Sequence, residues 1–131
     1  MASNIITSDG KDLDERYLPK GTSIPPHSKA HLVDSWRSGA NWWRKWSDGF
    51  IEQGGILSTN FYVRDYGSAS NRLSFHTAFS STDYYVGSVD NQTHASTSCI
   101  GRSTSNATLQ TTARASNSYR VTSILWYACG Y

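Results

Sequence analysis

Apolar and polar residues alternate with a period of two through most of the chain after residue 30, and helical periodicity is absent after residue 20. The alternation, punctuated by Gly, Asn, Asp and Ser, predicts short strands over 31–36, 41–46, 50–53, 56–63, 72–79, 83–89, 96–100, 107–114, 119–125 and 126–131. Many short strands at this spacing predict an all-β chain, folded as a compact antiparallel β-sandwich or barrel-like domain. Leu73, Phe75, Thr77 and Phe79 fall on one face of their run, and Tyr119, Val121, Ser123 and Leu125 repeat the pattern. Both sets are expected to be core. Residues 1–30 read differently. The charged stretch 9–20 is weakly helical, and Pro25-Pro26 after Gly21 extends the chain, so 1–30 is expected to be a connector and 31–131 the domain.

One segment fixes its own geometry. Ser47-Asp48-Gly49 lies between two aromatic runs and suits a type I turn closed by a left-handed glycine. With Trp46 facing Phe50 across it, cross-strand stepping sets Arg44 opposite Glu52 and Trp42 opposite Gly54. Trp42, Arg44, Trp46, Phe50 and Glu52 then share one face, and Trp43, Lys45, Ile51 and Gln53 the other. An Arg44–Glu52 ion pair flanked by indoles is the expected reason for the mixed face. Tyr84 and Tyr85 must point to opposite sides of their strand, so only one of them can be core.

Composition narrows the function. Twelve Lys plus Arg against ten Asp plus Glu leave a net charge of +2, too little to draw the chain to nucleic acid or anionic lipid. A single-stranded nucleic-acid-binding barrel using Trp42-Trp43-Arg44-Lys45-Trp46 is the rival reading, and the near-neutral charge argues against it. Aromatic residues make up 13% of the chain and must supply much of the buried area. No run is apolar enough to insert in a membrane. Residues 1–8 lack the apolar core of a signal peptide, which predicts a chain folded in the cytoplasm with Cys99 and Cys129 as buried free thiols.

The run from Trp42 to Gly55 resembles a signature of tailed-phage tail fibres, "WYR-x-YSDGW-x-EQGG", at the start of their C-terminal receptor-binding domain. Trp43, Trp46 and Phe50 stand where the common wording has Tyr, Tyr and Trp, which keeps aromatic volume. The ending Trp126-Tyr127-Ala128-Cys129-Gly130-Tyr131 is similar to the closing "WYACGY" of those domains. Leu13 to Lys20 resembles the "LD-x-RYL-x-K" segment of tail-fibre shafts. The resemblance implies a homotrimeric fibre tip in a phage or phage-derived tail particle. That tip would be assembled in the host bacterial cytoplasm, carried at the distal end of the fibre, and attached upstream to a shaft through residues 1–30. It implies attachment to a bacterial surface glycan, such as lipopolysaccharide, or to an outer-membrane protein.

The chemistry-bearing residues favour binding over catalysis. Gly67-Ser68-Ala69-Ser70-Asn71 is a poor nucleophile elbow, ending in Asn with no strand-to-helix setting. Glycan hydrolysis needs two carboxylates across a cleft, and Asp48 and Glu52 are already assigned to the turn and to Arg44. His27, His31, His76 and His94 lack metal-ligand spacing, so neither metal nor cofactor is called for. Saccharides bind on aromatic faces beside planar polar groups, and Arg64, Tyr66, Tyr84, Tyr85, Asn91 and His94 offer both in predicted loops or strand ends. A trimerising cap that touches no receptor is the alternative.

Overall fold

The protein is described by a computed structural model of residues 29–131. The readings of 1–28, including the helical stretch, the shaft-like Leu13–Lys20 segment and His27, lie outside the described residues. Eight strands follow one another: β1 (Leu32–Ser38), β2 (Asn41–Trp46), β3 (Ile51–Arg64), β4 (Ser68–Ser74), β5 (Tyr84–Asp90), β6 (Ala95–Arg102), β7 (Asn106–Ala113) and β8 (Ser118–Gly130). They form two antiparallel sheets, one of five strands in the order β1-β2-β3-β8-β5 and one of three in the order β4-β7-β6. Side chains from both sheets meet in a common core, which makes the fold an all-β sandwich. Leu73, Leu109, Val121 and Ile124 are fully buried there, each stabilising by roughly 1.5–3 kcal/mol relative to exposure.

The β2–β3 hairpin follows its local sequence. Gly49 has φ 92, its N–H donates to Trp46 O at 3.0 Å, and Trp46 N–H donates to Phe50 O at 2.9 Å. Asp48 Oδ1 accepts from Phe50 N–H at 3.0 Å, which fixes the turn. Trp42 pairs with Gly54 and Arg44 with Glu52, in the register set by that turn. The two glycines that follow have steric roles. A Cβ on Gly54 would lie 2.8 Å from Trp126 O and 3.2 Å from the Trp42 indole, and one on Gly55 would overlap the Asn41 side chain. That side chain instead accepts from Ile56 N–H at 3.2 Å. The chain therefore passes straight through Gly54-Gly55, and the two strands predicted at 50–53 and 56–63 are one.

Three other expectations are corrected. The strand predicted over 72–79 stops at Ser74, because the backbone of 76–77 bonds to the Gln53 side chain instead of to a neighbouring strand. Gln53 Oε1 accepts from His76 N–H at 2.9 Å and Thr77 N–H at 3.2 Å, and Gln53 Nε2 donates to Thr77 O at 2.8 Å. Phe75 and Phe79 still reach the core by this loop, packed edge-on at 5.1 Å and joined by Tyr84.

Leu125 is not core: it is 52% exposed, while Ile124, Trp126 and Ala128 are buried. A bulge places three steps of β3, from Ser58 to Phe61, against two of β8, from Ser123 to Val121. The inward parity of β8 therefore changes from odd to even near Ser123. Thr59 Oγ1 donates to Val121 O at 2.9 Å at this irregularity.

The Arg44–Glu52 ion pair does not form although the two residues are cross-strand partners. Arg44 lies over the Trp42 ring, 5.4 Å from its centroid, and Glu52 Oε2 accepts from the Trp46 indole N–H at 3.3 Å. Cys99 and Cys129 are free, as expected, but half-buried.

Candidate functional site

The sandwich has two ends. At one end His31 N–H donates to Ser47 Oγ at 3.0 Å and Ser47 N–H to His31 O at 2.8 Å, so His31 lies beside the β2–β3 turn. Tyr131 is at the same end, with its ring 5.4 Å from Phe50 and its hydroxyl donating to Asp48 Oδ2 at 3.4 Å. The opposite end carries the β3–β4, β5–β6 and β7–β8 connections. The 13 residues of β8 run between the two ends, about 40 Å of extended chain.

At the far end Arg64, Asp65, Tyr66 and Gly67 make a tight turn closed by a 2.7 Å bond from Gly67 N–H to Arg64 O. Asp65 and Tyr66 have φ 51 and 62, two consecutive left-handed residues without a glycine. Each costs roughly 1–2 kcal/mol, and strain of this kind persists where surrounding structure enforces it. Here Tyr66 N–H donates to Ala115 O at 3.3 Å, and Ala113 N–H to Gly67 O at 2.9 Å. The outcome is a tyrosine held 68% exposed at the tip of the sandwich.

His94 reaches the same end, since its carbonyl accepts from Arg114 N–H at 2.6 Å and its ring lies 5.6 Å from Tyr119. Arg64, Arg114 and Arg120 are exposed on the strands that end here, and Arg120 Nε donates to Asn60 Oδ1 at 2.8 Å. Guanidinium groups beside aromatic faces suit an anionic or polyhydroxylated ligand. Arg114 and Tyr119 carried no binding signal in the sequence, because only the strand pairing brings them beside Tyr66 and His94.

The other predicted site residues separate. Asn91 is near this end, but its amide is used internally: Nδ2 donates to Thr122 Oγ1 at 3.1 Å and Oδ1 accepts from Thr122 N–H at 3.0 Å. Tyr84 and Tyr85 pair with Gly130 and Cys129 at the opposite end. Tyr84 is the core member of the pair. It is 3% exposed, and its hydroxyl donates to Ser103 O at 2.7 Å. Burial, with the Cys99 thiol adding to it, raises the Tyr84 pKa above the usual phenol value. Tyr85 is 79% exposed and borders a shallow hollow of about 260 Å³ with Asp83 and Arg102. The six residues therefore form two locations, not one site.

The two outer faces of the sandwich differ in chemistry. On the three-stranded sheet Ser70, Gln110 and Ser98 line up across the strands, a polar row. On the five-stranded sheet Ile56, Leu125 and Val89 line up across β3, β8 and β5, an apolar row. Next to it the Trp42 and Tyr127 rings pack at a tilt, 5.9 Å between centroids. The Tyr127 pKa is pushed up to about 12, first by desolvation, then by the Cys129 thiol and by Glu52.

No protein-family model and no curated protein matches the chain. Solved structures share its fold. The P. aeruginosa R1 pyocin fibre superposes with a TM-score of 0.58 at 19% identity, covering 85% of this chain and 29% of that one. An N-truncated R1-type pyocin tail fibre gives 0.57 at 18% identity over 85% of this chain and 89% of that one. An N-truncated R2-type pyocin tail fibre gives 0.52 at 21% identity, with 85% and 39% covered. The chain thus spans less than a third of the longer R1 fibre.

Proposed function

We propose that this protein is the non-enzymatic receptor-binding tip of a homotrimeric tail fibre of a phage or phage-derived particle, which attaches to a bacterial surface glycan or outer-membrane protein. The observation that carries the reading is the far end of the sandwich. There a strained Asp65-Tyr66 turn holds an exposed ring at the end of the sandwich that also carries His94, Arg64 and Arg114. This end lies opposite His31 and the β2–β3 turn. The fold shared with pyocin tail fibres supports the same reading.

In this mechanism Tyr66 and His94 offer ring faces to a sugar, and the arginines donate to its anionic groups bidentately. A shallow exposed site binds weakly on its own. Three copies on a fibre, and several fibres on a particle, convert later binding events into intramolecular ones and can raise avidity by about 10²–10⁴. Particles would then probe reversibly before holding firmly.

The test is binding of the labelled protein to bacterial strains that differ in lipopolysaccharide and in outer-membrane proteins. Binding that tracks one surface component, and that falls in Tyr66→Ala and Arg114→Ala variants, is the expected result. Absence of binding to every strain would replace attachment with a structural cap. Light scattering tests the assembly, and a monomer at micromolar concentration would remove the trimer.

A further inference from the structure

The β1–β2 hairpin carries a hollow of about 460 Å³, lined by Ser35, Trp36, Arg37, Trp42, Trp43 and Arg44. Ser35 pairs with Arg44 and Arg37 with Trp42, so strand alternation sends these four side chains to one side, the outer side on which Trp42 meets Tyr127. Trp36 alternates to the other side, where it packs on His76. The hollow is remote from the Tyr66 end. Gly54, across from Trp42, and Arg64 are ten residues apart on β3, about 33 Å of strand.

The charge of this hollow is uncompensated. Arg44 is exposed and lies over the Trp42 ring, 5.4 Å from its centroid. Arg37 is exposed too, and its Nε reaches only Gly39 O at 3.4 Å, longer than an ordinary hydrogen bond. The two nearest carboxylates in the strand register are engaged elsewhere. Glu52, directly across from Arg44, accepts from the Trp46 indole N–H at 3.3 Å. Asp34 alternates to the other side of β1 and accepts from Ser35 N–H at 2.8 Å. Among the described residues neither guanidinium therefore has a carboxylate partner, and guanidinium groups bind phosphate or carboxylate bidentately. Trp42 is fixed from two sides. A Cβ on Gly54 would lie 3.2 Å from both Nε1 and Cζ2 of the indole, so the ring rests on a backbone that only glycine leaves bare, and Tyr127 packs against it. A fixed ring under Arg44 lowers the ordering cost of using that guanidinium to bind.

The volume decides what kind of anion fits. A bare phosphate or carboxylate fills only a fraction of about 460 Å³, which lies in the range of small-molecule sites. The remaining lining offers the Ser35 hydroxyl and the planar surfaces of guanidinium and indole, groups that suit a polyhydroxylated ring. A net charge of +2 gives a nucleic acid little general attraction. We infer that the hollow is a further binding site, for a sugar that carries a phosphate or carboxylate, with Arg37 and Arg44 donating to the anionic group. The source of that sugar, an acidic glycan of a bacterial surface, rests on the attachment reading above, whereas the site rests on the hollow itself.

The test is titration of the isotope-labelled full chain with glucose 6-phosphate, glucuronate, glucose and inorganic phosphate, followed by nuclear magnetic resonance on the indole N–H signals of its five tryptophans. Trp42→Phe identifies the Trp42 signal. The expected result is a saturable shift of that signal with glucose 6-phosphate or glucuronate, the tighter of the two naming phosphate or carboxylate as the group recognised. Arg37→Gln combined with Arg44→Gln should weaken binding by about tenfold or more, the loss of at least one charge-assisted hydrogen bond. Both arginines are exposed, and an unchanged indole spectrum without ligand shows that the variant folds. No shift with either acidic sugar, an equal response to neutral glucose, or inorganic phosphate binding as tightly as glucose 6-phosphate would overturn the assignment. Tighter binding of a thymidine oligonucleotide than of either sugar would give the hollow to nucleic acid and overturn it as well. The titration needs no cell, so its failure leaves attachment through the Tyr66 end intact, and failure to bind any strain leaves the hollow to be judged by the sugars alone.

Discussion

Gln53 is the residue whose replacement tests the packing logic most directly. It is fully buried, and its amide satisfies three backbone groups of a loop that has no strand partner: His76 N–H, Thr77 N–H and Thr77 C=O. The loop in turn places Phe75 and Phe79 in the core and sets His76 between Trp36 and Trp126, at 5.3 and 5.2 Å. Replacing Gln53 by Leu keeps the volume and removes every one of those bonds. Each bond contributes about 1 kcal/mol net, and a buried group left unpaired costs about 1–3 kcal/mol. Because Thr77 is half-buried, water can recover part of the loss, and about 3 kcal/mol is expected for the set. For a domain of this size that is on the order of 10 °C in Tm.

Chemical denaturation at fixed protein concentration measures it, and Gln53→Glu adds a pH axis. A carboxylate can accept from both N–H groups but repels Thr77 O, whereas its protonated form can donate to that carbonyl. Folding therefore raises the introduced group's pKa, so its favourable contribution is present below the unfolded value near 4.3 and fades as pH rises through the folded one. The variant should approach the parent in acid and fall below it at neutral pH. A Gln53→Leu loss under about 1 kcal/mol, within the range of one ordinary hydrogen bond, would refute the clamp.

Three further outcomes are expected. Tyr66→Gly should raise the unfolding free energy by about 1 kcal/mol, since glycine accepts φ 62 without the left-handed penalty, and should weaken cell binding several-fold; a lower unfolding free energy would show that the turn is not strained. Tyr84→Phe removes the hydroxyl bonded to Ser103 O and Asn106 O and should cost about 1 kcal/mol of stability, with cell binding unchanged; lost binding would move the site to the Tyr84 end. Spectrophotometric titration should show one tyrosine ionising near pH 12, absent in Tyr127→Phe and shifted down in Glu52→Gln. Because folding raises this pKa, the associated stability is complete below pH 10 and declines between about 10 and 12, so a parent and Tyr127→Phe that lose stability in parallel over that window would contradict it.

Features that depend on neighbours close in the chain are legible from the residues alone. Ser47-Asp48-Gly49 dictates its turn through the left-handed freedom of Gly49 and the acceptor of Asp48, and the turn sets Trp42 against Gly54 and Arg44 against Glu52. Alternation likewise requires Tyr84 and Tyr85 to part, and the structure buries the first and exposes the second. Everything that required a distant partner was decided only by tertiary structure. The β3 bulge at Ser58–Phe61 changes the inward parity of β8 and exposes Leu125, and nothing local to β8 reports a bulge in another strand. The run 72–79 alternates like a strand, but Gln53 captures its backbone first. Arg44 and Glu52 are correctly opposed yet bond elsewhere, because Trp42 and Trp46 are nearer partners on the same face. The candidate site shows the same division. Arg64, Tyr66 and His94 could be singled out by residue type, but only the pairing of β3, β7 and β8 gathers them with Arg114 and leaves Tyr84 and Tyr85 about 40 Å of strand away.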